Sequence, residues 1–170
     1  MSALIVTAEL GAADLAWLDR QRRRYFPPER NQLPAHLTMF HALPPSAEAE
    51  ASSVVARLAA LEPAPRAVVA GLMNLGGGVA YRIVSSDLDR IRGDLAGAFH
   101  GLLGAQDAGG WRPHVTIQNK VAAKIAHALL AELEGDFAPR PLSVRGLGLH
   151  RYLGGPWEQI TVYPFRGRSA

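Results

Sequence analysis

The chain has 170 residues, 48% of them hydrophobic and 19% charged, a balance that supports one globular domain with a sizeable core and excludes a largely disordered chain. With 0 cysteines it can hold no disulfide framework, thiolate metal cluster, thiol nucleophile or iron–sulfur site. Net charge is +3, and 16 of the 18 basic residues are Arg; the planar guanidinium suits phosphate and favours an anionic or nucleotide partner, although a GC-rich genome would give the same bias with no function attached.

No stretch approaches the roughly 18 continuous apolar residues of a membrane span, and no basic region precedes the short apolar run Ala3–Val6. The expectation is a cytoplasmic protein, monomeric and without a membrane partner.

Ala3–Leu10, β-branched at Ile5, Val6 and Thr7 and closed by Gly11, is expected as a strand. Ala12–Tyr25 follows as a helix carrying Leu15, Trp17 and Leu18, and its end bears Arg20, Arg22, Arg23 and Arg24, which suit a solvated face beside the negative end of the helix dipole. Pro27, Pro28 and Pro34 make Phe26–Pro34 an exposed connection. A short strand, Ala35–His41, is ended by Pro44 and Pro45, and an alanine-rich helix spans about Ala47–Leu61.

Arg66–Leu75 and Val79–Val84 flank Gly76–Gly77–Gly78, the pattern of a hairpin. A phosphate loop is disfavoured there, because no Lys-Ser/Thr follows and the next run is β-prone. Asp87–Leu103 is expected as a helix with Asp87 as N-cap, Gly101–Gly110 as a loop, and His114–Gln118 as a second short strand. A helix over about Ala122–Leu133 and strands at Leu142–Leu149 and Gln159–Phe165 complete the chain, with Arg166–Ala170 frayed. Hairpins and irregular alternation favour α+β over a doubly wound parallel sheet.

Two segments repeat each other, His36-Leu37-Thr38-Met39-Phe40 and His114-Val115-Thr116-Ile117-Gln118. Each follows a proline-containing loop and precedes a helix, which suggests an internal duplication. Side chains alternate faces along a strand, so His36 and Thr38 project together while Leu37 and Met39 face apolar packing, and His114 and Thr116 do the same against Val115 and Ile117. Facing each other across a cleft, two imidazoles and two hydroxyls would surround one small anion such as phosphate. An imidazole near its ordinary pKa of about 6.5 serves as base or acid, and phosphodiester cleavage needs both at once. The Thr hydroxyls would hold the non-bridging oxygens.

These paired motifs, about half a chain apart in a cysteine-free protein of this size, resemble the two-histidine phosphoesterase superfamily, and within it the bacterial 2′-5′ RNA ligase-like (LigT-like) proteins. The resemblance implies one domain over residues 1–170, made of two pseudo-symmetric lobes: a bilobal, duplicated α+β fold with two antiparallel sheets facing a central cleft and helices outside. It implies phosphodiesterase chemistry without metal or cofactor on 2′,3′-cyclic phosphate ends or 2′-5′ linkages of RNA or nucleotides, with reversible ligation. His36 and His114 match its catalytic positions, and Thr38 and Thr116 its phosphate-binding ones.

Other sites are weaker. His41 falls on the strand face opposite His36 and Thr38, His100 and His127 lie in predicted helices without partner spacing, and His150 could line a cleft. No helical two-His zinc motif and no Gly-x-Ser-x-Gly elbow occurs. Phe40 extends the first motif face and could stack a base, Gln118 extends the second, Arg112 could neutralise a second phosphate, and Tyr152 could stack. The rival to the enzyme is a non-catalytic RNA- or nucleotide-binding protein with the same cleft, whose binding would weaken steeply with salt.

Overall fold

In a computed structural model, which describes residues 2–169, the chain forms strands β1 (Leu4–Leu10), β2 (Leu37–Leu43), β3 (Arg66–Asn74), β4 (Val79–Val84), β5 (His114–Gln118), β6 (Arg140–Tyr152) and β7 (Trp157–Pro164). The α-helices are α1 (Ala12–Tyr25), α2 (Glu48–Leu61), α3 (Ser86–Ala98), the single turn α4 (Ala105–Ala108) and α5 (Ala123–Asp136). Every strand pairing is antiparallel, as expected of the α+β class.

The order β2-β1-β6-β3-β4-β5, with β7 also on β6, places the long β6 at the junction of two half-sheets. Its first residues, Arg140–Ser143, pair with β3, and the remainder pairs with β1 on one edge and β7 on the other. The outermost strands of the series, β2 and β5, carry the two motifs and lie in contact.

Alternation explains the packing. Leu4, Val6, Ala8 and Leu10 of β1 join Leu37, Leu147 and Leu149 in the core, while Thr7 and Glu9 take the opposite strand face. Helix α2 lies on β6 and β7 and buries Ala51, Val55 and Ala59 at four-residue spacing. Helix α1 reaches across to β5, α3 and α5 pack on β3, and α4 packs on β2.

Several sequence expectations shift. Helix α3 is shorter than Asp87–Leu103, and its N-cap is Ser85, whose Oγ accepts from the Leu88 amide at 3.0 Å. Asp87 instead accepts from the Arg66 amide at 2.9 Å, anchoring β3. Strand β6 is extended at both ends beyond Leu142–Leu149 because each end finds a different partner strand. Arg22 is buried, unlike its neighbours Arg23 and Arg24. Its Nε donates to Asn31 Oδ1 (2.8 Å) and its NH1 to the Thr116 carbonyl (3.1 Å), so the basic end of α1 is partly a structural strut.

The Gly76–Gly78 segment is the expected hairpin turn: Gly76 has φ +83°, and the Leu75 amide donates to the Gly78 carbonyl. A side chain at Gly78 would run into the β5 backbone, since an added Cβ would lie 1.9 Å from the Gln118 carbonyl oxygen.

Candidate active site

The two motif segments are held alike in four respects. Each His begins or immediately precedes its strand, and its Nδ1 lies against the carbonyl two residues earlier: His36 to Pro34 at 2.9 Å, His114 to Arg112 at 2.7 Å. A carbonyl only accepts, so each Nδ1 carries the proton and each Nε2 is left for the solvent side. Leu37, Met39, Val115 and Ile117 are fully buried, while Thr38 and Thr116 stay partly exposed. Finally, each strand bulges just after its Thr: Thr7 pairs with Thr38 but Val6 with Phe40, and Ala80 pairs with Thr116 but Val79 with Gln118.

The bulges decide which later residues reach the site. An extra residue on one strand inverts the alternation beyond it. Phe40 and Gln118 therefore turn into the interior. Phe40 is 0% exposed, set edge-on against Phe99 with ring centroids 5.4 Å apart, so it is a core residue and not a base-stacking one. Gln118 is buried as well, with Oε1 lacking a hydrogen-bond partner among the described residues. The inversion brings His41 onto the His36/Thr38 side, contrary to the strict-alternation expectation.

One cavity of about 360 Å³ is lined by His36, Thr38, His114 and Thr116 together, with His41, Arg92, Trp111, Arg112 and Trp157 among its other walls. The paired edges of β2 and β5 thus converge as the motif spacing suggested. Arg112 is exposed at the rim, where a phosphate contact is open to it. Tyr152 is exposed and does not line this cavity; its cross-strand partner Trp157 lies in the wall instead.

Sequence reasoning missed Arg92 and Trp157. Arg92, from α3, donates to the Met39 carbonyl (3.1 Å) and the Asp107 carbonyl (2.7 Å), and its guanidinium stacks 4.1 Å from the Phe40 ring centroid. No carboxylate hydrogen-bonds it among the described residues, so its positive charge remains available to an anion. Nothing local distinguishes it from the other arginines. Trp157 stands 4.6 Å, centroid to centroid, from the His36 ring and opens β7 directly after Gly154, Gly155 and Pro156, with no chemical motif around it.

Loop residues close the wall. Trp111 Nε1 donates to the Thr38 carbonyl (3.1 Å), and the buried Asp107 carboxylate accepts from the amides of His41 (2.8 Å) and Ala42 (2.9 Å) and from the His41 ring (3.1 Å). Burial would raise the Asp107 carboxyl, but these hydrogen bonds outweigh it and hold it below the usual carboxylate range.

Burial pushes the His36 imidazole down to about 4; the bond to Pro34 opposes this, and the Arg22 guanidinium adds to it. His36 is accordingly neutral at neutral pH, with Nε2 a free acceptor.

The antiparallel fold and the paired His-x-Thr strands around one cavity are the arrangement expected of the two-histidine phosphoesterase superfamily. A family model of the 2′-5′ RNA ligase superfamily matches residues 11–156, and the chain belongs to that superfamily of phosphoesterases and ligases. Among solved structures, it is similar to TT0787 of Thermus thermophilus, with 19% identity, TM-score 0.71, and coverage of 99% of this chain and 100% of that one. It is also similar to E. coli LigT complexed with NADP+, with 15% identity, TM-score 0.60 and coverage of 97% and 98%, and to LigT complexed with 3′-AMP, with 15% identity, TM-score 0.56 and coverage of 96% and 98%. At these identities the likeness speaks for the fold. No match is found among curated protein sequences. Among the described residues, no helix is long and apolar enough to cross a membrane.

Proposed function

We propose that the protein is a phosphodiesterase that opens 2′,3′-cyclic phosphate ends of RNA or nucleotides to phosphomonoesters, with 2′-5′ ligation as the same chemistry in reverse. The observation that carries this reading is the matched locking of both imidazoles: with each Nδ1 tied to a backbone carbonyl, two Nε2 atoms and two Thr hydroxyls are presented to one cavity. The crystallisation of E. coli LigT with 3′-AMP and with phosphate supports a nucleotide phosphate as ligand.

In the hydrolytic direction, water attacks phosphorus as His36 Nε2 takes its proton, a role suited to an imidazole that is neutral at neutral pH. The bond from phosphorus to one ribose oxygen breaks, and that oxygen receives the proton of His114 Nε2. Thr38 and Thr116 donate to the non-bridging oxygens, whose charge grows in the transition state, while Arg92 and Arg112 balance the phosphate or a neighbouring one. The cycle ends when His36 releases its proton to solvent and His114 regains one. Both proton transfers are made by imidazoles, so the step calls for no metal and no cofactor.

The test is turnover of nucleoside 2′,3′-cyclic phosphates and a cyclic-phosphate-ended oligonucleotide in EDTA, for wild type, His36→Ala and His114→Ala. Each substitution is expected to lower kcat/KM by about 10²–10⁴-fold, the usual contribution of one acid–base group. Salt-sensitive RNA binding without product in the wild type would replace this reading with the binding-protein one.

A further inference from the structure

The cavity holding the two motifs adjoins a second, of about 270 Å³, and His36 and Trp157 line both. We propose that this second cavity is a nucleobase pocket that selects guanine through the Glu9 carboxylate. The inference rests on the phosphodiesterase reading for the position of the phosphate, between His36 and His114.

Strands β1 and β6 contribute Thr7, Glu9 and His150 to the wall of the second cavity. Strand register sets Thr7 of β1 opposite Thr38 of β2 on one side and opposite Gly148 of β6 on the other, while Glu9 stands opposite Gly146. Glycine at 148 makes room for a polar cluster: an added Cβ would lie 2.6 Å from Thr7 Oγ1, 2.8 Å from His150 Nε2 and 2.9 Å from Glu9 Oε2. All three side chains therefore depend on a missing side chain in the neighbouring strand.

The protons in this cluster can be assigned. Thr7 Oγ1 donates its one proton to Glu9 Oε2 at 2.8 Å, so it must accept from His150 Nε2–H at 2.9 Å. Glu9 is thus an acceptor. Burial would raise its carboxyl, but the neighbouring His150 and the Thr7 hydroxyl outweigh burial and hold it below the ordinary range, ionised at neutral pH. Its other oxygen, Oε1, has no hydrogen-bond partner among the described residues.

The remaining walls suit a flat heterocycle. Leu10, Leu15 and Leu33 supply apolar surface, the Trp157 indole stands where the two cavities meet, and Arg145 and Gln159 offer donors. A carboxylate is best satisfied by two adjacent N–H groups, and among the four RNA bases guanine alone presents them, at N1 and its 2-amino group. Adenine and cytosine offer one amine beside an acceptor nitrogen, and uracil one N–H between two carbonyls, so each would set an acceptor against Glu9. Leaving such a carboxylate poorly paired is what gives hydrogen-bonding pockets their selectivity.

The experiment measures equilibrium binding of guanosine, inosine, adenosine and uridine 3′-monophosphates to the wild type and Glu9→Gln proteins, alongside kcat/KM for the corresponding 2′,3′-cyclic phosphates. The wild type should bind the guanosine nucleotide about 10-fold or more tightly than the adenosine one, within the range a bidentate base contact supplies. Inosine, lacking the 2-amino group, should fall between them. Glu9→Gln should reduce the guanosine-to-adenosine ratio to within about 2-fold. Equal binding of all four nucleotides, a preference for adenosine or uridine, or a guanosine preference unchanged in Glu9→Gln overturns the pocket assignment. If Glu9→Gln does not fold, the wild-type guanosine-to-inosine ratio decides, and a value near one overturns it. Absence of turnover on every cyclic phosphate would remove the phosphodiesterase reading and leave the binding series to decide the guanine pocket by itself.

Discussion

His36 titrates at about 4 in the folded chain, against about 6.5 for an unperturbed imidazole, and this displacement has two separate consequences. For catalysis, a base that stays neutral down to mildly acidic pH places the acid limb of kcat/KM near pH 4. A pH–rate profile with its acid limb near 6.5 would transfer the base role away from His36. For stability, the unfolded chain takes up a proton below about pH 6.5 that the folded imidazole refuses until about pH 4. Stability is therefore unaffected by this group above 6.5 and falls as pH drops from 6.5 towards 4. Urea midpoints across that window should fall less in His36→Ala than in the wild type. The Thr hydroxyls act on charge that develops during reaction, so Thr38→Val or Thr116→Val should lower kcat by about 10²–10³-fold, the scale for removing one such donor, with a smaller change in KM. Parallel changes in the two constants would argue against that role.

At the level of elements, the site depends on how an edge strand is finished. The outer edge of β2 is closed by side chains and not by another strand: Trp111 and Arg92 donate to its carbonyls at Thr38 and Met39, and Asp107 accepts its amides at His41 and Ala42. These contacts cap a strand whose edge would otherwise be open, and they tie the loop around α4 to the cavity wall. Asp107→Ala removes the acceptor for both amides. It should cost about 1–3 kcal/mol in urea unfolding, as expected for buried donors left unpaired, and lower kcat/KM by releasing His41 and the neighbouring wall. Asp107→Asn, which retains an acceptor, should lose less; equal losses in the two variants would show that the charge and not the amide contacts matters. The bulges after Thr38 and Thr116 are the other element-level device. They turn the next position that simple alternation would expose, Phe40 or Gln118, into the core, and on β2 they bring His41 to the side of His36 and Thr38 instead.

For the whole molecule, the shared strand β6 sets the cooperativity. It supplies pairing to β3 at one end and to β1 and β7 at the other, while α1, which follows β1, packs across on β5. Neither half-sheet can lose β6 without exposing buried residues of the other, Leu142 and Val144 on one side of the junction and Leu147 and Leu149 beyond it. Unfolding should accordingly be one transition, with tryptophan fluorescence and far-UV circular dichroism giving coincident midpoints. Two separated transitions would mean that the halves are independent despite β6.

The sequence by itself determined which His and Thr share a strand face and most of the elements that carry them. His36 with Thr38 and His114 with Thr116 are legible because a strand alternates strictly over two or three residues, and because the apolar residues between them leave only one face for the core. Alternation fails where a bulge adds a residue, so the sequence placed Phe40 on the site and His41 off it, and the tertiary structure reversed both. Bulges arise from pairing between distant strands, which no local pattern encodes. The meeting of β2 and β5, the closure by Arg92 and Trp111, and the Glu9–Thr7–His150 cluster above Gly148 likewise depend on register between segments far apart in the chain. The lowered His36 pKa belongs with them, since it reflects burial and the approach of Arg22 from another element. Local periodicity fixes which face a side chain takes; only the packed chain decides what that face meets.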